Sequence, residues 1–125
     1  MSWNKKIMVV DDDPVNTLLL KELLNEYYEI ITFHRAVHAL EFLKKTPVDL
    51  VITDLMMPEM DGVELLKKIR KQTCQIPVIF LSAYNEPDKI KEAFRQGADD
   101  YLFKPMSFNK IINSVKRSLS SATLL

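Results

Sequence analysis

The chain has 125 residues, 47% of them hydrophobic and 27% charged, with 17 Lys plus Arg balanced by 17 Asp plus Glu. That length suits one domain with a single sizeable core, expected over about residues 5–120 of the full 1–125. The zero formal net charge gives no support for direct nucleic-acid or membrane-surface binding, both of which usually need a basic patch.

The single Cys74 excludes an internal disulfide and fits a reducing compartment. The apolar run before Asp11 is too short for a signal-peptide core, and no run reaches transmembrane length, so a cytoplasmic setting is expected. Ile7 to Val10 is an apolar run read as strand 1, ended by Asp11-Asp12-Asp13. Pro14 follows, in a position where its missing N–H has no intrahelical partner to lose, and this puts Asp13 at the N-cap of helix 1. Val15, Leu18, Leu19, Leu23 and Tyr27 are expected to form the apolar face of that helix. Glu29 to Phe33 reads as strand 2, polar enough for an edge. Helix 2 spans about Ala36 to Lys45, with Ala36, Leu40 and Leu43 inward.

Strand 3 is the β-branched run Leu50-Val51-Ile52, which suits a strand covered on both faces. Asp54 stands where it stops, and Asp61-Gly62 then turns the chain into helix 3, with Leu65, Leu66 and Ile69 on one face. Val78 to Leu81 is strand 4, closed by Ser82, and Asn85-Glu86-Pro87 opens helix 4, with Ile90, Ala93 and Phe94 inward. Gly97 fits the left-handed position just past a helix end. Tyr101 to Phe103 is strand 5, ended by Lys104-Pro105. Ser107 caps helix 5, where Phe108, Ile111, Ile112, Val115 and Leu119 recur at helical spacing, and Ser118 to Leu125 reads as a fraying tail.

Strict alternation of strands and helices implies an α/β fold with a parallel five-stranded sheet and helices on both faces. The most apolar strands are 1, 3 and 4, which favours the flavodoxin-like doubly wound (βα)5 order 2-1-3-4-5. In a parallel sheet the strand ends share one edge, so Asp11, Asp12, Asp54, Ser82 and Lys104 converge there. Three carboxylates within a few ångströms raise one another's pKa unless a cation intervenes. With only oxygen ligands on offer, a hard divalent ion, Mg²⁺ or Mn²⁺, is the natural partner. A metal, an ammonium and a hydroxyl around a carboxylate describe a site for a phosphoryl group.

Four segments now carry a resemblance: VVDDDP at Val9 to Pro14, D-x-x-M-P-x-M-D-G from Asp54 to Gly62, IPVIFLSA at Ile76 to Ala83, and GADDYLFKP at Gly97 to Pro105. Together they span nearly the whole chain, which resembles the CheY-like receiver domain of two-component response regulators. The resemblance implies that Asp54 is the phospho-acceptor in a phosphorelay, taking its phosphoryl group from a sensor histidine kinase or a histidine phosphotransfer protein. It implies Asp12 as a direct Mg²⁺ ligand, Asp11 as its water-mediated partner, and the Met56 backbone carbonyl as a further ligand. Ser82 would hydrogen-bond the phosphoryl oxygen and Lys104 would pair with it. Tyr101 would swing inward as Ser82 moves, switching the helix 4–strand 5–helix 5 face toward an effector that the sequence does not name. Lys104-Pro105 resembles the family's cis peptide. Such a domain is not an enzyme beyond promoting its own phosphorylation and dephosphorylation. Met56 and Tyr84, two residues past Asp54 and Ser82, flank the path of the attacking water and are expected to tune the lifetime of the adduct. In the winged-helix transcription-factor class, helix 5 carries a Glu and an Arg for dimer pairing. Lys110 and Ser114 occupy those places here, which counts against that class's dimer and leaves the oligomeric state open.

Other readings are weaker. Asp11-x-Asp13 superficially resembles the haloacid-dehalogenase nucleophile motif, which would make the chain a phosphohydrolase using Asp11 and Asp13, but the chain is short for that family and the Asp54 motif goes unexplained. An FMN-binding role lacks a phosphate-cradling loop after strand 1, and two glycines exclude a P-loop. His34 and His38 are four apart, as zinc ligands can be, but with no third ligand nearby they read as solvent-exposed side chains. The chain ends after helix 5, which fits either a stand-alone regulator or a receiver from a larger protein.

Overall fold

The structure, a computed structural model, describes residues 5–105 and 107–123. Five strands alternate with five helices: β1 (Lys6–Val10), α1 (Pro14–Leu24), β2 (Glu29–Phe33), α2 (Ala36–Lys45), β3 (Leu50–Thr53), α3 (Gly62–Gln72), β4 (Val78–Ser82), α4 (Pro87–Arg95), β5 (Asp100–Phe103) and α5 (Phe108–Thr123). The strands form one sheet in the order β2-β1-β3-β4-β5, and every neighbouring pair is parallel. The switch point of this topology lies between β1 and β3, where ligands of open α/β sheets bind.

The period of two along each strand sorts the core into two layers. Ile7 and Val9 of β1, Leu50 and Ile52 of β3, and Ile79 and Leu81 of β4 face Leu20 and Leu24 of α1 and Ile111, Val115 and Leu119 of α5. Their alternates, Met8, Val10, Val51, Val78 and Phe80, face α2, α3 and α4 through Leu40, Leu65, Leu66, Ile69 and Ala93. The three central strands are buried along β3 and β4 and in all but the first residue of β1, as their apolar sequences require.

Local chemistry starts and stops the helices. Asp13 Oδ1 accepts the Val15 N–H at 2.9 Å, with Pro14 opening α1. Asp61 caps α3 by accepting the Glu64 N–H at 2.9 Å, and Ser107 accepts the Lys110 N–H at 3.2 Å. Gly97 has φ 105°, the left-handed value expected after α4. Gly62 is required for a different reason: a Cβ there would lie 2.3 Å from the Asp54 carbonyl oxygen and 2.7 Å from Phe80 Cε2.

Several expectations about helix faces need correction. The buried residues of α1 are Thr17, Leu20 and Leu24, whereas Val15, Leu18, Leu19 and Tyr27 are exposed and Leu23 is half-buried. Leucines at three consecutive positions, 18 to 20, allow more than one helical stripe, and only Leu20 of the three is buried. Phe94 of α4 and Phe108 of α5 are likewise exposed. The tail expected from Ser118 is helical as far as Thr123, because Ser118 and Leu119 are buried. Leu124 and Leu125 lie outside the described residues. His34 precedes α2, and its Nε2 lies 3.1 Å from Thr17 Oγ1, so His34 and His38, both exposed, do not share a helix face.

Candidate functional site

The parallel hydrogen-bond pattern runs one residue past each strand and so fixes the backbone of the site. The Asp11 N–H donates to Phe33 O at 3.0 Å, the Asp54 N–H to Val10 O at 3.0 Å, and the Lys104 N–H to Ser82 O at 3.0 Å. These bonds align the carboxyl ends of β1, β3, β4 and β5 at one edge, as the sequence pattern anticipates.

There, Asp11, Asp12 and Asp54 each offer an oxygen within 4.8 Å of the others. Asp11 is only 2% exposed, while Asp12 faces solvent. Lys104 Nζ bridges the first and third, at 2.8 Å from Asp11 Oδ2 and 3.3 Å from Asp54 Oδ2. Backbone groups orient both carboxylates: the Asp13 N–H donates to Asp11 Oδ1 at 2.9 Å, and the Leu55 N–H donates to Asp54 Oδ1 at 2.7 Å. Leu55 is a participant that the sequence does not reveal, since a backbone N–H carries no residue identity.

Burial pushes the Asp11 carboxyl above its usual range, and the charge of Asp54 adds to this, against the opposing pull of Lys104 and the Asp13 N–H. Burial alone would lower the Lys104 pKa, but the hydrogen bond to Asp11 and the charges of Asp54 and Asp11 hold it above its ordinary value. Two of the three carboxylates share one ammonium, and the pocket has negative charge left over. An all-oxygen donor set with surplus negative charge fits a hard divalent cation.

Asp13 is not a member of this cluster; its carboxylate caps α1. That use of Asp13 removes the acid which the phosphohydrolase reading needs. Met56 has an exposed side chain, and its N–H makes a long 3.4 Å approach to Asp54 Oδ1.

Ser82 and Tyr101 form a second group beside the first. Ser82 is 1% exposed, and its Oγ accepts the Tyr84 N–H at 3.1 Å. Tyr101 is buried, stacks on Phe80 with ring centroids 5.6 Å apart, and donates its hydroxyl to Tyr84 O at 2.6 Å. Burial raises the Tyr101 pKa and the charge of Asp54 adds to it, despite Ser82 pulling the other way. The inward position of Tyr101 and its link to the residue two past Ser82 both depend on the tertiary fold. The Lys104-Pro105 peptide is cis.

The response regulator receiver domain model matches residues 7–116. Transcriptional regulatory protein ZraR of Klebsiella oxytoca is 38% identical over 119 residues, 94% of this chain and 27% of that protein, so the chain spans about a quarter of that relative's length. Sporulation initiation phosphotransferase F of Bacillus subtilis (strain 168) is 37% identical over 117 residues, 93% of this chain and 94% of that protein. A crystal structure of a CheY-like response regulator receiver domain protein from Methanospirillum hungatei JF-1 superposes with a TM-score of 0.93 at 28% identity, covering 98% of each chain. No helix among the described residues is long and apolar enough to cross a membrane. With the family match running from β1 into α5, the chain belongs to the receiver domains of two-component response regulators.

Proposed function

We propose that this receiver accepts a phosphoryl group on Asp54 from the phosphohistidine of a sensor histidine kinase or a histidine phosphotransfer protein. The observation that carries the reading is the Lys104 ammonium, held within 3.3 Å of Asp54 Oδ2 at the carboxyl end of a buried strand. The printed name of the Bacillus relative, a phosphotransferase that the chain matches along nearly its whole length, supports the same reading.

Asp54 is placed to act as a carboxylate nucleophile. Its oxygen bonds to phosphorus as the P–N bond of the donor breaks, and the departing imidazole takes up a proton. The Leu55 N–H fixes the carboxylate plane. The Lys104 charge is available to the phosphoryl oxygens once the carboxylate it faces becomes an acyl phosphate. Ser82 Oγ already accepts from the Tyr84 N–H, which leaves its own proton to donate to the phosphoryl group. Asp11, Asp12, Asp54 and the Met56 carbonyl would hold Mg²⁺, or Mn²⁺ in its place. When bound, such an ion neutralises charge on the phosphoryl oxygens. A shift of Ser82 toward the phosphoryl group draws on the segment that also binds the Tyr101 hydroxyl, so the signal reaches α4, β5 and α5. The activity is confined to the chain's own phosphorylation and dephosphorylation.

Acetyl phosphate with Mg²⁺, followed by intact mass measurement, tests the reading. One labile adduct is expected, absent in Asp54→Asn. An adduct that survives in Asp54→Asn but is lost in Asp11→Asn would overturn it in favour of a phosphohydrolase.

A further inference from the structure

Glu59 has φ 73°, the one non-glycine residue with a positive φ among the described residues. The Met60 N–H donates to Pro58 O at 2.8 Å across it, so Glu59 is the centre of a three-residue γ-turn of the strained, positive-φ type. Glycine would take this conformation without steric cost, whereas a side chain there is strained. A glutamate in such a position needs a use for its side chain. The structure provides one: Glu59 Oε1 is paired with the Arg35 guanidinium.

Arg35 belongs to the turn between β2 and α2, and the two residues before it are tied to Asp11 and to α1. Phe33 O holds the Asp11 N–H, and His34 meets Thr17 of α1. The Arg35–Glu59 pair therefore connects the turn just after the strand end that fixes Asp11 to the loop that follows Asp54. On either side of Glu59, Met57 is buried and Met60 half-buried in the core, so the loop has little slack between its anchors.

We infer that Glu59 is a positioning residue: its strained turn and its strap to Arg35 set the spacing between the two backbone segments that carry the oxygen donors, Asp11-Asp12 and Asp54-Met56. The inference rests on the acceptor reading above and extends it to a residue that touches neither the metal nor the phosphoryl group. An exposed ion pair of this kind contributes at most about 1 kcal/mol, so the effect on metal affinity should be about two- to fivefold.

The test is calorimetric titration of the full chain with manganese chloride. Glu59→Gln and Arg35→Gln should each weaken Mn²⁺ binding by that factor, and the double variant should be no weaker than either single one. Glu59→Gly should raise the metal-free thermal midpoint by relieving the turn, yet still weaken Mn²⁺ binding. A merely structural role moves both quantities the same way. Unchanged Mn²⁺ affinity in all three single variants overturns the strap, as does a wild-type chain that binds no Mn²⁺. Wild-type Mn²⁺ binding without an acetyl-phosphate adduct on Asp54 would sink the acceptor reading and leave the strap standing.

Discussion

At the N-terminal edge of the sheet, Asp49 accepts the Lys6 N–H at 2.7 Å, and Asp99 accepts the Val78 N–H at 2.9 Å with Arg70 nearby. Asp100 accepts from Ser114 Oγ at 2.6 Å, from Arg117 at 2.9 Å and from the Tyr101 N–H at 2.8 Å. At the opposite edge Asp11, Asp12 and Asp54 crowd together, and Lys104 pairs with Asp11 and Asp54. The residue type is the same at both ends, but the donors are not. At the first edge each carboxylate splices one strand or helix to the next. Where three crowd together and one ammonium pairs with two of them, the fold is left with charge to spend on a ligand. The difference teaches that aspartates crowded at one edge beyond the cations that face them leave negative charge for a ligand, which an aspartate splicing two elements does not.

The sharpest way to break this comparison is Asp54→Asn. It should abolish the acetyl-phosphate adduct while leaving metal-free stability unchanged or raised, since a crowded carboxylate is removed. A clear loss of stability by urea denaturation would mean that Asp54 is structural after all. Next, Mg²⁺ should stabilise the wild type by about 2.7 kcal/mol at a hundredfold excess over its dissociation constant, and Asp54→Asn distinctly less, as read by the shift in thermal midpoint. Equal shifts in the two proteins would place the ion away from this edge.

Gly62→Ala should cost about 1–3 kcal/mol by overpacking, because its Cβ would press on the Asp54 carbonyl and the Phe80 ring. It should also slow adduct formation, measured by the time course of intact mass, since the displaced atom belongs to the acceptor. Asp100→Ala should cost about 1–2 kcal/mol, chiefly by leaving the buried Ser114 hydroxyl without its acceptor. The rate of adduct formation should not change. Burial opposes the charged form of Asp100, but Ser114, the Tyr101 N–H and Arg117 outweigh it and hold its pKa below the ordinary 3.8. Its contribution is therefore fully present above that value and lost as pH falls through the lowered one. The gap between the wild type and Asp100→Ala should narrow in strongly acid solution, the smallest of these effects, since the protonated carboxyl can still accept from Ser114 but no longer pairs as a charge with Arg117. A gap that stayed constant down to low pH would mean that the ionised form of Asp100 is not what Ser114 and Arg117 hold.

Much of this was legible in the sequence. The β-branched runs of β1, β3 and β4, the caps at Asp13 and Pro14, and the left-handed Gly97 each express a local preference, and period two along the strands implies a sheet covered on both faces. Once the strands are parallel, Asp11, Asp12, Asp54, Ser82 and Lys104 must share an edge. The sequence alone therefore determines the topology and which residues meet at that edge. Tertiary structure decided the rest. Leu18, Leu19 and Leu20 are equally apolar, and only the packing of α1 on the sheet decides that the last of them is buried. Asp11 is buried and Asp12 is exposed, although they are neighbours of the same type. The reach of Lys104 across 93 residues to Asp11, the Leu55 N–H on Asp54 and the pairing of Arg35 with Glu59 depend on where distant backbone segments meet, and no local propensity encodes that.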